Sequence, residues 1–424
     1  MKILTVILIV IVLILSVLLP VIYASAELPS AAELPSAAEL PSAAELPYLG
    51  LSDFLTEMEI DLKEYIALMD EISRPGVYPH FLEKNASRYE AYQRENLHVP
   101  YEQVLSFINV GMDYGFYTNI SEAPDLNEIT VLVNKNFNLP SSWEPENMVI
   151  VSQGRTLHPE AAVQFDLMRD TITEEGFDLH VISAYRSRGR QARIFADELE
   201  ARGRAATERN VARAGHSEHQ TGLVVDILHR VYGRLTHANF QDTDLFEWLT
   251  QNAHEYGFIL RYPDEYKEFH GYIFEPWHWR YVGIEIATAM YDMKIALYEE
   301  FYGRYIVSDV LHNARELIYE HRRNLEIAEQ EAAVASAEAA AAEEAVRLAA
   351  AEEEANRQTS SPEQSRQLIL NASNDGSNIS DSLDSQAINP VHYRVYLAIF
   401  TLIVVYLIST LVFIVIPKIK KRGT

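Results

Sequence analysis

An uncharged run of 22 residues, Val395 to Ile416, constrains this chain more than any other feature. Wound as a helix at about 1.5 Å per residue, it matches the hydrocarbon core of a bilayer. Lys418, Lys420, Lys421 and Arg422 follow directly, and basic flanks favour the cytoplasmic side. The opposite end is similar: Ile3 to Ala26 carries no charge, Lys2 precedes it, and Ala24-Ser25-Ala26 has the small residues of a signal-peptidase site. Residues 1–26 therefore read as a signal peptide or N-terminal anchor, 394–417 as a transmembrane helix, and 418–424 as a basic cytoplasmic tail. The intervening chain is expected on the extracellular side of the cell membrane.

Charge and cysteine content narrow the function classes. Of 424 residues, 35 are Lys or Arg and 61 are Asp or Glu, a formal charge of −26. A nucleic-acid partner needs a basic face to neutralise phosphates, and this balance excludes one. Cysteine is absent, which removes disulfides, thiolate metal sites and a cysteine nucleophile. The 14 histidines remain as candidate metal ligands or proton carriers.

Composition divides the exported part. Glu-Leu-Pro recurs at residues 27, 33, 39 and 45. Proline at that period blocks a continuous helix, so 27–50 reads as an extended spacer. Residues 51–125 read as a helical extension, with apolar residues at helical spacing over Asp53–Ile72 and again over Tyr101–Tyr114. Ile129, Val131 and Val133 share one parity and predict a strand over Leu126–Asn134. A helix over Pro159–Gly176, a strand over Leu179–Ser183 and another over Leu223–Leu228 follow. The alternation predicts an α+β domain over 126–310. From Ala328 to Ala355, 14 of 28 residues are alanine, the best helix former. No run of large apolar residues at heptad positions supports a coiled coil, so 311–356 reads as a solvated helical stalk. Residues 357–393, rich in Ser, Asn and Asp, read as a disordered tether.

The chemistry lies between residues 183 and 281. His219 and Asp226 sit at the ends of Gly215-His216-Ser217-Glu218-His219-Gln220-Thr221-Gly222-Leu223-Val224-Val225-Asp226. A histidine or aspartate beside a strand is ordinarily a structural group. A second cluster, Glu275-Pro276-Trp277-His278-Trp279-Arg280-Tyr281, changes the balance by adding an imidazole and a carboxylate. Two histidines and an aspartate suit Zn²⁺ with a fourth position open to water, and Glu275 is the natural base for that water. Residues three apart on a strand face opposite sides, so Glu275 and His278 share a site only if the chain bends at Pro276. In a third cluster, Ser183-Ala184-Tyr185-Arg186-Ser187 precedes Gln191. Arg186 reads either as an oxyanion or carboxylate holder or as a surface ion-pair partner.

The strings SAYRS with Gln191, SxHxxGxxxD over Ser217–Asp226, and ExWH over Glu275–His278 resemble the VanY-type D-alanyl-D-alanine carboxypeptidases. These belong to the LAS metallopeptidase group, which includes lysostaphin and sonic hedgehog. Leu132-Val133-Asn134-Lys135 and Arg280-Tyr281-Val282-Gly283 extend the likeness, which covers roughly residues 126–295. The resemblance implies a LAS/hedgehog-like zinc peptidase domain, a small antiparallel sheet with flanking helices. It implies zinc ligands at His219, Asp226 and His278, a catalytic base at Glu275, and substrate and oxyanion contact at Arg186. Ser217 and Gln191 take positions near the substrate. The implied partner is a peptidoglycan stem peptide ending in D-Ala-D-Ala, losing its terminal D-alanine, with the membrane held through the C-terminal helix. The alternatives are an L,D-carboxypeptidase or endopeptidase on the same scaffold, or a non-catalytic wall-binding module. Val224 stands where the family usually has alanine, and the larger side chain is expected to narrow the pocket or shift packing. His216 is read as a rim residue.

Overall fold

The computed structural model describes residues 48–359, apart from Pro75, Gln153, 232–233 and 236–238. The signal or anchor segment, most of the Glu-Leu-Pro repeat, all but the first three residues of the tether and the C-terminal apolar run lie outside the described residues. Among the described residues no helix is long and apolar enough to cross a membrane.

Helices come first. α1 (Leu51–Met58) and α2 (Leu62–Ile72) replace the single helix expected over Asp53–Ile72. The break is a left-handed turn at Glu59, after which the Asp61 carboxylate accepts from the Glu64 amide and restarts the helix. α3 (Ala86–Glu95) and α4 (Tyr101–Asn109) complete this layer. β1 (Ser121–Glu122) and β2 (Phe137–Asn138) form a short parallel pair, and β3 (Val149–Ser152) and β4 (Arg155–Leu157) a hairpin.

The strand expected over Leu126–Asn134 does not form. Val131 and Val133 are buried and Ile129 partly so, but the carbonyls are taken by side chains instead of a neighbouring strand. Arg280 donates to Ile129 and Val131, and the Tyr298 hydroxyl donates to Thr130. Backbone groups satisfied that way need no ladder.

A five-stranded antiparallel sheet carries the site. Its strands are β5 (Leu179–Ser183), β6 (Val224–Val231), β7 (Arg234–Leu235), β8 (Phe258–Leu260) and β9 (His278–Tyr281). The path runs β5-β6-β9-β8, with β7 beside β6. Alternation along β6 and β9 sends Val225, Ile227, Trp279 and Tyr281 into one apolar core with Phe165 and Met168 of α5 (Pro159–Glu174) and Leu245 and Leu249 of α8 (Asp244–Asn252). Asp226, His278 and Arg280 occupy the other parity, Asp226 directly opposite His278 and Val224 opposite Arg280. Between β5 and β6 the chain forms α6 (Arg188–Arg202) and α7 (Arg204–Asn210). α9 (Lys267–His270) precedes the turn into β9.

Beyond the sheet come α10 (Ile284–Met293), α11 (Tyr298–Tyr305) and α12 (Ser308–Thr359). The Ala/Glu stretch is helical, but its helix starts at Ser308 and its first turns belong to the core, not to a stalk from 311. Val310, Leu311, Ala314 and Ile318 are fully buried with Phe54, Tyr65, Tyr302 and Tyr305. Residues 324–355 are exposed along their whole length.

Gly303 of α11 sits against α4 so closely that an added Cβ would lie 2.0 Å from the Ser106 carbonyl oxygen. Gly303→Ala must push the two helices apart, and the substitution should cost about 1–3 kcal/mol of stability. Urea unfolding of the metal-free protein measures it.

Candidate metal centre

Among the described residues one trio of acid or imidazole side chains brings its ligand atoms within 4.8 Å of one another: His219, Asp226 and His278. All three are buried, and three separate local structures deliver them. His219 lies on a 3-10 turn, Glu218–Thr221, that Gly222 ends in a left-handed conformation. Asp226 lies on β6, and His278 opens β9 directly across from it.

Hydrogen bonding assigns the imidazole nitrogens. Nδ1 of His219 is 2.7 Å from the Ala184 carbonyl oxygen, which only accepts, so Nδ1 carries the proton and Nε2 keeps its lone pair. That Nε2 is 3.2 Å from Asp226 Oδ2. His278 has a carboxylate on each side. Nε2 is 3.5 Å from Oε2 of Glu218, and Nδ1 is 3.3 Å from Asp226 Oδ1. Asp226 Oδ1 is buried without a hydrogen-bond partner. Two imidazoles and an unsatisfied carboxylate oxygen converging on one point could hold a divalent cation such as zinc, which would displace any proton from the nitrogen facing it.

Glu275 joins this point because the chain does bend at Pro276. The His278 amide donates to the Glu275 carbonyl at 3.0 Å, closing a turn through Pro276 and Trp277. The Glu275 carboxylate Oε2 comes within 3.5 Å of His278 Nδ1. Burial pushes the Glu275 carboxyl up to about 7; His278 opposes that rise and Asp226 adds to it. Burial works against a charged His278, but Asp226 and Glu218 outweigh it and push the imidazolium up to about 9. Burial holds His219 below its ordinary value, with Arg186 acting in the same direction. Asp226 stays ionised: burial favours its neutral form, and the two imidazoles overcome that.

Arg186 is at the site, not at the surface. Its backbone amide donates to the His219 carbonyl at 3.0 Å. Its guanidinium donates to Gln191 Oε1 at 2.9 Å and to the Ser183 hydroxyl at 3.0 Å, and lies 3.8 Å from Asp226 Oδ2. Gln191 Nε2 in turn donates to the Ala212 carbonyl at 2.7 Å. Gln191 thus holds Arg186 as well as lining the cavity. That cavity, about 140 Å³, is also lined by Ser217, Asn210, Tyr262, Tyr272 and Trp277.

Two expectations change. His216 is buried, not on the rim: its Nδ1 lies 2.8 Å from the Asn134 carbonyl and its ring packs edge-on to Tyr117. Val224 is buried opposite Arg280 and is not among the residues lining the cavity. Trp279 is core packing, whereas Trp277 lines the cavity. Sequence reasoning also missed Glu218, fully buried between His278 and two arginines. Its signal was an acid beside a ligand histidine in a segment that leads into a buried strand.

The family model for VanY, D-alanyl-D-alanine carboxypeptidase, matches residues 154–284. VanXYC of Enterococcus gallinarum, a bifunctional D-Ala-D-Ala dipeptidase and D-Ala-D-Ala carboxypeptidase, is 35% identical over 185 residues, covering 42% of this chain and 95% of that protein. The chain belongs to the VanY family. Another similar protein is YodJ of Bacillus subtilis, 39% identical over 41% of this chain and 67% of its own length. A solved structure of a variant of the vancomycin resistance D,D-pentapeptidase VanY in complex with Zn(II) is 32% identical, covering 41% of this chain and 97% of that one, with a TM-score of 0.36. The three motifs of this VanY-family chain fall within the matched residues, together with Glu218, Arg261 and Arg280.

Purified protein should carry one equivalent of zinc, and Asp226→Ala should carry a small fraction of that. Elemental analysis after dialysis reads both.

Proposed function

We propose that this protein is a membrane-anchored extracellular zinc carboxypeptidase that removes the terminal D-alanine from peptidoglycan stem peptides ending in D-Ala-D-Ala. The observation carrying the proposal is that a buried Glu275 carboxylate stands 3.5 Å from the His278 nitrogen that also faces Asp226. A purely structural metal site has no use for such a carboxylate.

His219 Nε2, Asp226 and His278 Nδ1 would hold the zinc. Bound there, the ion would supply a Lewis acid for the scissile carbonyl and a more acidic water. Glu275, its carboxyl raised to about 7 by burial, is matched to accept a proton from water near neutral pH and hand it to the leaving amine. Arg186, fixed by Gln191 and Ser183, offers its guanidinium to negative charge developing on the carbonyl oxygen. Ser217 stands on the cavity wall within reach of a bound peptide end.

The cavity of about 140 Å³ suits a small terminal residue. A larger groove of about 570 Å³ shares Asn210 and Tyr272 with it and gives the rest of the stem a path. The apolar termini of the sequence support anchoring and export, and an enzyme displayed outside the membrane meets its polymer there.

Incubating pentapeptide muropeptide with the protein should yield tetrapeptide and free D-alanine by mass spectrometry, and a chelator should abolish the reaction. Release of D-alanine from a tetrapeptide instead would reassign the enzyme to L,D-specificity, and cleavage inside the stem to an endopeptidase. Glu275→Ala should retain zinc while kcat/KM falls roughly a hundred- to ten-thousand-fold. Undiminished hydrolysis by that variant would remove Glu275 as the base.

A further inference from the structure

A closed chain of buried charges runs from His278 to a helix that the family match does not include. Oε1 of Glu218 accepts from Arg261 Nε and from Arg280 Nη1, each at 2.8 Å. Arg261 turns its two terminal nitrogens the other way, Nη1 to Oε2 of Glu299 at 2.9 Å and Nη2 to Oε1 at 2.7 Å. The side chains of Glu218, Arg261 and Arg280 are 0% exposed and that of Glu299 1%. Asn134 adds a 3.3 Å contact to Glu299 Oε1. Glu299 stands on α11, beyond residues 154–284.

The geometry decides what each carboxylate oxygen of Glu218 does. Because Glu299 occupies both Nη groups of Arg261, only Nε is left for Glu218, and it goes to the oxygen already held by Arg280. The other oxygen, Oε2, faces His278 Nε2 at 3.5 Å, and neither atom has another hydrogen-bond partner. Held this way, His278 keeps its proton on Nε2 and presents Nδ1 to the metal point. Without the Glu299 charge, the Nη groups of Arg261 would have Glu218 as their nearest buried carboxylate and would draw Oε2 from the imidazole.

We infer that Glu299 is a positioning residue of the metal centre, acting through Arg261 and Glu218 on His278. The inference rests on the zinc reading above. The catalytic fold of this chain therefore extends past the matched segment into α11, and the bidentate grip on Arg261 sets the tautomer of a metal ligand.

The test measures the zinc dissociation constant of the full chain by chelator competition, with Tyr298→Phe as control. Tyr298 neighbours Glu299 and donates to the Thr130 carbonyl; phenylalanine removes that hydroxyl and weakens the same helix while keeping the ring that lies 5.6 Å from the guanidiniums of Arg261 and Arg280. Glu299→Gln should loosen zinc at least about tenfold. Tyr298→Phe should leave zinc affinity unchanged even where Tm falls. Adding Glu299→Gln to Glu218→Gln should weaken binding no further than Glu218→Gln alone. Parental affinity in Glu299→Gln, or a loss matched by Tyr298→Phe, overturns the inference while leaving the zinc reading intact. A parent chain that binds no zinc sinks both. If Glu299→Gln does not fold, Glu299→Asp is read in the cobalt-substituted protein, because its shorter carboxylate cannot keep both contacts. A shifted visible spectrum supports the inference, and one identical to the parent's overturns it.

Discussion

Buried charge organises the centre of this protein. Glu218, Asp226, Glu275 and Glu299 are buried around a volume that also holds the guanidiniums of Arg186, Arg261 and Arg280 and the ammonium of Lys135. A buried charge left uncompensated costs several kcal/mol, so each of these groups depends on its partners. Burial raises the Glu275 carboxyl, and Asp226 and Glu218 raise His278 against the opposing effect of burial. On the zinc reading proposed above, a divalent cation among His219, Asp226 and His278 would add positive charge where these carboxylates meet, and would leave Glu275 able to bind and release a proton.

The sheet makes this concentration of charge tolerable. Its strands alternate between an apolar face, sealed by α5 and α8, and a polar face where each charged group meets a specific partner. Arg280 shows the economy of the arrangement. One guanidinium donates to Glu218 and also to the carbonyls of Ile129 and Val131. The segment over 126–134 is thereby fastened beside the site without being a strand, and the Asn134 that follows reaches both Glu299 and, through its carbonyl, His216. Stability of the fold and orientation of the ligands draw on the same contacts.

What the sequence made legible follows from distance along the chain. The ligands and Glu275 sit in short strings whose residue types state their chemistry, and the bend at Pro276 could be required from strand geometry alone. The strands over 179–183 and near 224–228 announced themselves by apolar runs. The ion chain could not be read, because Arg261 and Glu299 lie 38 residues apart and each looks like an ordinary surface charge. The strand misread over 126–134 had the correct alternation, but burial by side-chain donors leaves the same pattern as burial in a ladder. The split of the first helix did leave a trace: Asp61 followed three residues later by Glu64 is a helix-start signature. It was overridden by an apolar period that continues across the break.

On the zinc reading proposed above, the metal centre and the choice of bond are separable. His219, Asp226, His278 and Glu275 would act on any carbonyl brought to them, so selectivity would have to come from the cavity wall. That wall is built from the end of α7 and the residues after it, Asn210 to Ala212, and from Tyr262, Tyr272 and Trp277. Gln191 ties the two functions together. It lines the cavity, anchors Arg186 with one end of its amide and holds the Ala212 carbonyl with the other. A change of wall that moved Ala212 would therefore also move the Arg186 guanidinium beside Asp226. On the proposed reading, a shift in specificity made at that part of the wall would be coupled to catalytic efficiency through this single side chain.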